Sequence, residues 1–290
     1  MKTVLLVAAD SIRALLHQRL LLGLMLLALA LIAVFSSALI AQRKVMTQAF
    51  IGQGSADAPA GGSGAGHSDA ASAKAKSVAD SRRLSVEDRQ KLAEQMDQMS
   101  SFFQAAFYQI ASFGGSLVSL FIFGTAVTSE IRKGTIRVTL TKPVSRAQYL
   151  LGKFLGGVAV MAGYALVASA AIMIFTRLGR LELSPAMRFA PWLMFCRQVM
   201  LGSLVTLLSL FVHPFVASVL AFFAGNGFYS RSNPLFFIFP SYGAFNLFGQ
   251  MLKGTLMSSK EVVLLSLYAL DFVIFMLLLA LWRFRTKELV

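Results

Sequence analysis

Residues 20–40 read LLLGLMLLALALIAVFSSALI, a run of 21 residues without an ionisable side chain. At about 1.5 Å per residue, a helix of this length crosses a hydrocarbon core of roughly 30 Å. The run is longer than the apolar region of a signal peptide, and the mixed segment before it is too long for the basic start of one. The sequence therefore favours an uncleaved membrane span over a cleaved leader.

The composition of the whole chain agrees with a membrane protein. Of its 290 residues, 57% are hydrophobic and 14% are charged, and the formal net charge is +14. The basic residues flank apolar runs, which is typical of contacts with anionic lipid headgroups and argues against a nucleic-acid surface. Cys196 is the single cysteine, which excludes an intramolecular disulfide and a cysteine-based metal cluster.

Apolar runs after the first predict about five more spans. Span four reaches back to Trp192 only if it includes Arg197, and His213 with Pro214 predicts a tight turn between spans four and five. The stretch after span five is aromatic but broken by Pro240, which predicts a re-entrant or interfacial element. The expected spans two to six cover residues 107–128, 154–176, 199–212, 214–229 and 262–282.

The segments around the spans complete the expected architecture. Residues 1–19 mix apolar and charged side chains and predict an interfacial amphipathic helix, which leaves 20–290 as the transmembrane domain. Residues 54–81 are rich in Gly, Ser and Ala and predict a flexible outer loop over 42–84, and Ser85 with Asp88 predicts the capped start of an outer helix over 85–106. The predicted fold is an all-α polytopic membrane protein of about six transmembrane helices.

Glycines in the expected spans two and three predict close approaches between helices, because a missing side chain lets backbones come together in lipid. These glycines are Gly114, Gly115, Gly124, Gly156, Gly157 and Gly163.

The distribution of basic residues predicts the orientation. With six spans, the termini share a side with the basic loop at 129–150, and this side reads as cytoplasmic. Three arginines between spans three and four and three basic residues between spans five and six are a counterweight on the opposite face. We expect a multi-pass protein of a bacterial inner membrane with both termini in the cytoplasm.

The chain carries no phosphate-binding loop of the kind that ATPases need. Its nearest string, Leu151-Gly152-Lys153, lacks both the upstream glycine and the hydroxyl residue that would bind magnesium. We therefore expect no enzyme activity and no cofactor in this chain, and any ATP and Mg²⁺ would be bound by another subunit. His17, His67 and His213 show no metal-binding spacing, and Met96 and Met99 are interpreted as packing residues.

Asp271 is an ionisable residue in the middle of span six. Such a residue is costly at membrane depth and usually faces a bundle interior, a partner or water. Two interpretations stay open. Asp271 and Tyr268 line a candidate substrate path, or Asp271 is neutral or hydrogen-bonded at a helix contact, with Tyr268 on the same face.

The loop between spans two and three, TSEIRKGTIRVTLTKPVSRAQYLLGK at 128–153, is basic yet more apolar than a solvated connector. It resembles the loop after the second span of type-2 ATP-binding-cassette (ABC) transporter permeases. The matching residues are Glu130, Gly134-Thr135, Pro143-Val144-Ser145-Arg146 and Leu151-Gly152-Lys153. The resemblance covers nearly the whole chain, and it departs at Ala14, where such proteins often carry an acid, and in the long outer loop.

The resemblance implies a permease subunit of an ABC exporter. The loop at 129–150 would form a coupling helix that docks on a cytosolic ATPase subunit, and two copies of the permease, expected to be a homodimer, would pair around a central path. The residues expected to contact the ATPase are Glu130, Arg132, Gly134, Thr135, Lys142, Pro143, Ser145 and Arg146.

Other interpretations remain open on sequence alone. The basic loop would also suit a segment lying on anionic lipid. The chain would suit a non-transporting scaffold or assembly factor whose outer helix near residues 84–99 binds a periplasmic partner. It would also suit an ion-coupled secondary carrier that uses Asp271.

Overall fold

The computed structural model describes residues 2–16, 98, 100–126, 145–178, 185–227, 242–253, 255 and 257–286, with isolated positions at 23, 30 and 34. These residues are helical and contain no β-strand, which confirms the all-α fold class. The helices are α1 Lys2–Leu16, α2 Ser100–Thr125, α3 Arg146–Leu178, α4 Ala190–Ser209, α5 Pro214–Gly227, α6 Phe248–Leu252 and α7 Ser259–Thr286. Short 3₁₀ helices cover Pro185–Arg188 and Tyr242–Phe245.

Four helices in the described part of the chain are long and apolar enough to cross a membrane: α2, α3, α4 and α7. They correspond to the expected spans two, three, four and six, whereas α5, in the place of span five, is a shorter apolar helix of 14 residues. Expected span one, the outer loop at 42–84 and most of the outer helix at 85–106 lie outside the described residues. The total of about six spans stays a prediction.

The boundaries of α4 and α5 resolve a choice that the sequence left open. Helix α4 begins at Ala190 and contains Arg197, whose side chain is buried, so the longer of the two versions of span four is correct. The expected turn is confirmed at His213, whose carbonyl accepts a hydrogen bond from Ala217 N at 2.9 Å in the first turn of α5. Proline at the start of α5 costs no backbone hydrogen bond, because the first amides of a helix have no partner within it.

Side-chain hydrogen bonds fix how the long helices run. Tyr164 Oη of α3 donates to the carbonyl of Ala111 in α2 at 2.8 Å, and Gln198 Nε2 of α4 donates to the carbonyl of Ser112 at 2.9 Å. Trp192 Nε1, near the start of α4, donates to Ser266 Oγ of α7 at 2.8 Å. Together with the contacts of Gly157 of α3 and Gly202 of α4 with Phe123 of α2, and with the cluster shared by Leu210 and Phe284, these bonds make α2, α4 and α7 parallel to one another and antiparallel to α3. We call the two ends of the bundle the Arg146 end and the Trp192 end.

Glycines allow α2, α3 and α4 to approach closely, as expected. A Cβ atom at Gly115 would lie 2.8 Å from Tyr164 Cε1 and 2.9 Å from Gln198 Nε2. Gly157 of α3 likewise meets Phe123 of α2, whereas Gly124 of α2 lies against Ser218 of α5 and Gly156 of α3 lies against Ser11 of α1. Within the described part of the chain the prediction is wrong for Gly163, which lies on the exposed side of α3 with nothing within 4 Å of the site of a Cβ.

A stripe of polar side chains is buried along α2. Its members recur every three or four residues and are at most 7% exposed, so they form one face of the helix. Ser119 Oγ donates to the carbonyl of Gln198 at 2.8 Å and Tyr108 Oη donates to the carbonyl of Phe245 at 3.1 Å. Interhelical hydrogen bonds of this kind hold helices together in lipid, where apolar burial gives little preference for protein contacts. The stripe consists of Ser100, Gln104, Tyr108, Ser112, Ser116 and Ser119.

Candidate functional site

The Arg146 end of the bundle brings together the start of α3, the end of α7 and the turn between α4 and α5. A small hydrophobic cluster joins these three pieces, and its members are at most 1% exposed. The cluster consists of Tyr149, Leu150, Leu210, Ala280 and Phe284. Because residues 129–150 lead into this end, it is the part of the structure that bears on the predicted coupling loop.

Ser145 and Gln148 form a capping box at the start of α3. Ser145 N donates to Gln148 Oε1 at 3.1 Å, and Gln148 N donates to Ser145 Oγ at 3.2 Å. Each side chain satisfies a backbone amide that the helix itself leaves without a partner. The predicted loop therefore runs directly into the capped N-terminus of α3. Ser145 followed three residues later by Gln148 is a sequence signal of this box, and the prediction for the loop at 129–150 did not include it.

Arg146, the first residue of α3, reaches across to the last turn of α7. Its Nη1 donates to the carbonyl of Arg285 at 3.3 Å. A cation is unfavourable near the N-terminus of its own helix and favourable near the last carbonyls of another, because of the helix dipole. The contact with Arg285 thus gives the guanidinium a better electrostatic environment than α3 alone offers it.

Beneath the contact of Arg146 with Arg285, aromatic rings also join α3 to α7. The rings of Tyr149 and Phe284 stack at 6.3 Å between centroids, and Lys153 Nζ lies 5.8 Å from the centre of the Tyr149 ring. Arg283, the residue before Phe284 in α7, has its guanidinium 5.0 Å from the centre of the Phe211 ring in the turn after α4. Contacts of cations with ring faces add to the burial of the rings themselves. They link α3, α7 and the turn into one packed unit.

Helix α1 packs along the first turns of α3. A Cβ at Gly152 would lie 2.7 Å from Val7 Cβ, and one at Gly156 would lie 2.7 Å from Ser11 Cβ and 3.1 Å from the carbonyl oxygen of Ala8. Ala8 and Ser11 are buried on this side of α1. The predicted N-terminal helix is confirmed as a helix over Lys2–Leu16, and its position on a membrane surface stays a prediction.

The structure describes only the last two of the predicted ATPase-contact residues. Ser145 caps α3 and Arg146 is its first residue, both at the surface of the bundle, so these two predicted residues do lie together. The other six lie outside the described residues. They are Glu130, Arg132, Gly134, Thr135, Lys142 and Pro143.

Asp271 and Tyr268, the candidate substrate-path residues, are both on the outside of the described bundle. The Tyr268 ring stacks on Phe245 with 6.3 Å between centroids. The carboxylate of Asp271 has no hydrogen bond or ion pair with any residue that the structure describes, so the expected contact between the two side chains is not formed. A path that uses Asp271 would have to run along the outer face of α7.

Comparison with known families places this helical membrane protein in a class. The chain belongs to the ABC-2 family of transporter proteins, because the family's model matches residues 5–196, about two thirds of the chain. This match confirms the resemblance seen in the loop at 128–153 and identifies the chain as a membrane component of an ABC transporter. No curated protein matches the chain. The match ends within α4, so α5, α6 and α7 lie beyond it.

Proposed function

We propose that the chain is the permease subunit of an ATP-driven exporter in a bacterial inner membrane, with both termini in the cytoplasm. A separate cytosolic ATPase binds ATP and Mg²⁺ and docks on the loop at 129–150. A second copy of the chain completes the transport path. The family assignment supports the permease role.

The attachment of the loop to the bundle is the observation that carries this proposal. Ser145 caps α3, and Arg146 bonds the end of α7. Beneath them, Tyr149 of α3 stacks on Phe284 of α7. A force on a loop that ends in a mobile connector would be lost in the motion of that connector, whereas close-packed interiors transmit displacement. A push on the loop at 129–150 would therefore move the Arg146 ends of α3 and α7 together.

The mechanism that follows is mechanical. Nucleotide binding and hydrolysis change the distance between two ATPase subunits, and each subunit would carry one coupling loop with it. The nucleotide shifts the balance between inward-open and outward-open bundles only to the extent that the ATPase contacts the two states differently. The six predicted contact residues ahead of Ser145 would make those differential contacts.

Purification of a tagged chain in mild detergent tests the proposal. We expect capture of a soluble ATPase subunit, identified by mass spectrometry through a phosphate-binding loop in its sequence, and ATP hydrolysis by the purified complex. Arg146→Glu should reduce both capture and hydrolysis by at least tenfold. Arg177→Glu, at the opposite end of α3, is the matched control and should change neither.

Two results would overturn the proposal. One is a chain that never captures an ATPase while Arg146→Glu leaves its cellular function intact. The other is substrate transport by the purified chain that continues without ATP, since this would indicate a secondary carrier.

Deletion of residues 54–81 should leave ATPase capture unchanged, whereas a scaffold that used the outer segment would lose its partner.

A further inference from the structure

The outer face of α7 is apolar along its length except at Asp271. Its exposed side chains recur every three or four residues, which places them on one side of the helix, while Ala269, Met276 and Ala280 are buried on the other side. The exposed residues of this face are Leu264, Leu267, Tyr268, Ile274, Phe275, Leu278 and Trp282. We call this surface the α7 outer face.

Asp271 lies in the middle of the α7 outer face. It is about 18 Å along the helix from Ser259 and about 22 Å from Thr286, at about 1.5 Å per residue, which puts it near the centre of a hydrocarbon core of roughly 30 Å. Its side chain is exposed and makes no hydrogen bond or ion pair within the described part of the chain. A carboxylate facing acyl chains at this depth is strongly unfavourable, and ionisable residues within membrane spans commonly pair with one another, so a partner with a compensating charge would stabilise this position.

A second copy of the chain does not supply that charge. A two-fold contact centred on the α7 outer face would place Asp271, in the middle of that face, near Asp271 of the other copy. At mid-span the described residues offer one cation, Arg197, and it is 8% exposed inside its own bundle. Residues 20–40 of the chain contain no ionisable side chain and could not neutralise Asp271 either.

The spacing of the face fits a single helix as the occupant. Leu264, Leu267, Asp271, Ile274 and Leu278 are separated by three or four residues in alternation, the pattern by which one helix packs along another. One polar residue in such a seam fixes the partner and the register, because a mismatched helix would leave the polar group unpaired.

We propose that the α7 outer face binds one transmembrane helix of a different protein, and that this helix carries Lys or Arg near the middle of its span. The basic side chain pairs with Asp271, and apolar side chains on either side of it pack against Leu267 and Ile274. This partner is distinct from the ATPase and from a second permease copy, so the proposal goes beyond the proposed function.

Site-specific photo-crosslinking in native membranes tests this proposal. A photoreactive amino acid replaces Leu267 or Ile274 in the full-length chain, and Leu166, an exposed residue in the membrane-spanning part of α3, is the control position. We expect Leu267 and Ile274, but not Leu166, to give an adduct with one membrane protein. Mass spectrometry should identify a protein whose apolar span contains a central Lys or Arg.

Substitutions of Asp271 then test the charge. Asp271→Asn and Asp271→Lys should each reduce the adduct at least tenfold. Replacement of the partner's basic residue by Asp should restore the adduct with Asp271→Lys. Asp271→Leu matches its apolar neighbours and should leave the chain monodisperse in detergent, so that loss of the adduct in this variant is not a folding defect.

Four outcomes would overturn the proposal. They are an adduct of twice the chain's mass, an adduct within one chain, labelling of lipid alone at Leu267 and Ile274, and a captured helix without a basic residue or without charge-swap rescue. ATPase capture should be unchanged in Asp271→Asn, so failure here is distinguishable from failure of the proposed function.

Discussion

Arg146 Nη1 donates a hydrogen bond to the carbonyl of Arg285, a contact between the first residue of α3 and the last turn of α7, 139 positions further along the chain. The contact lies at the surface, so it contributes little to stability by itself. The contact matters because of where it lies. It connects the end of the predicted coupling loop, at the start of α3, to the last turn of α7.

The capping box at Ser145 should set the stability of the first turn of α3. Ser145→Ala removes the hydroxyl that accepts from Gln148 N, and we expect a loss of about 1 kcal/mol. Ser145→Asp keeps an acceptor and should be close to wild type. Thermal unfolding in detergent and trypsin cleavage after Arg146 measure the effect.

Thr286→Ala is the control for this prediction. The Thr286 hydroxyl, at the same end of the bundle, donates only to the carbonyls of Trp282 and Arg283 in its own helix. Its loss should change stability by less than about 0.5 kcal/mol. Equal effects of Ser145→Ala and Thr286→Ala would contradict the capping role.

The close contact of α2 with α3 and α4 should make Gly115 intolerant of any side chain. Gly115→Ala places a Cβ 2.8 Å from Tyr164 Cε1 and 2.9 Å from Gln198 Nε2, and we expect destabilisation of about 1–3 kcal/mol. Gly163→Ala meets open space on α3 and should be neutral or slightly stabilising, since Ala favours the helix. The melting temperatures of the two variants are compared in the same detergent. A Gly115→Ala variant as stable as Gly163→Ala would contradict the close packing of α2 against α3 and α4 at Gly115.

The attachment of α1 should depend on Gly156. A leucine there would clash with Ser11 and with the backbone of Ala8, so Gly156→Leu should push α1 away from α3. Arg13, near the end of α1, would then be cut by trypsin several-fold faster than in the wild type. Gly163→Leu should leave that cleavage rate unchanged, and an unchanged rate in Gly156→Leu would place α1 elsewhere.

The single cysteine provides a test of sidedness. Cys196 is 7% exposed and should not react with an impermeant maleimide until the protein is denatured. Ser145→Cys adds an exposed thiol at the Arg146 end. We expect labelling of this variant in inside-out vesicles and none in intact cells, and the reverse pattern would place the loop at 129–150 in the periplasm.

The sequence predicts the helical spans well because the length of an apolar run and the thickness of a bilayer are directly related. It also indicated the family, since the spacing from Glu130 to Lys153 is distinctive, and the family match confirms it. The hydropathy of a span does not tell which face meets lipid, because lipid and protein interiors are equally apolar. For this reason Gly163 was assigned to a helix contact that it does not make, and the outward position of Asp271 became evident only from the structure.

Contacts between residues far apart along the chain also could not be predicted from the sequence. The pairing of Arg146 with Arg285 and of Tyr149 with Phe284 depends on how the ends of α3 and α7 meet, which no local pattern records. The polar stripe of α2 is visible in the sequence as a repeat of Ser, Gln and Tyr. Its pairing with Gln198 of α4 depends on how the helices pack and could not be predicted from the sequence.

The central claim is that a cytosolic ATPase acts on this chain through the loop that ends at Ser145. A photoreactive amino acid at Lys142, in cells that express the full-length chain, tests it most directly, with Arg177 as the control position at the opposite end of α3. The account predicts an adduct at Lys142 with a soluble protein that mass spectrometry identifies as an ATPase with a phosphate-binding loop, and none at Arg177. An adduct with a periplasmic protein, or labelling of lipid alone at Lys142, would contradict it.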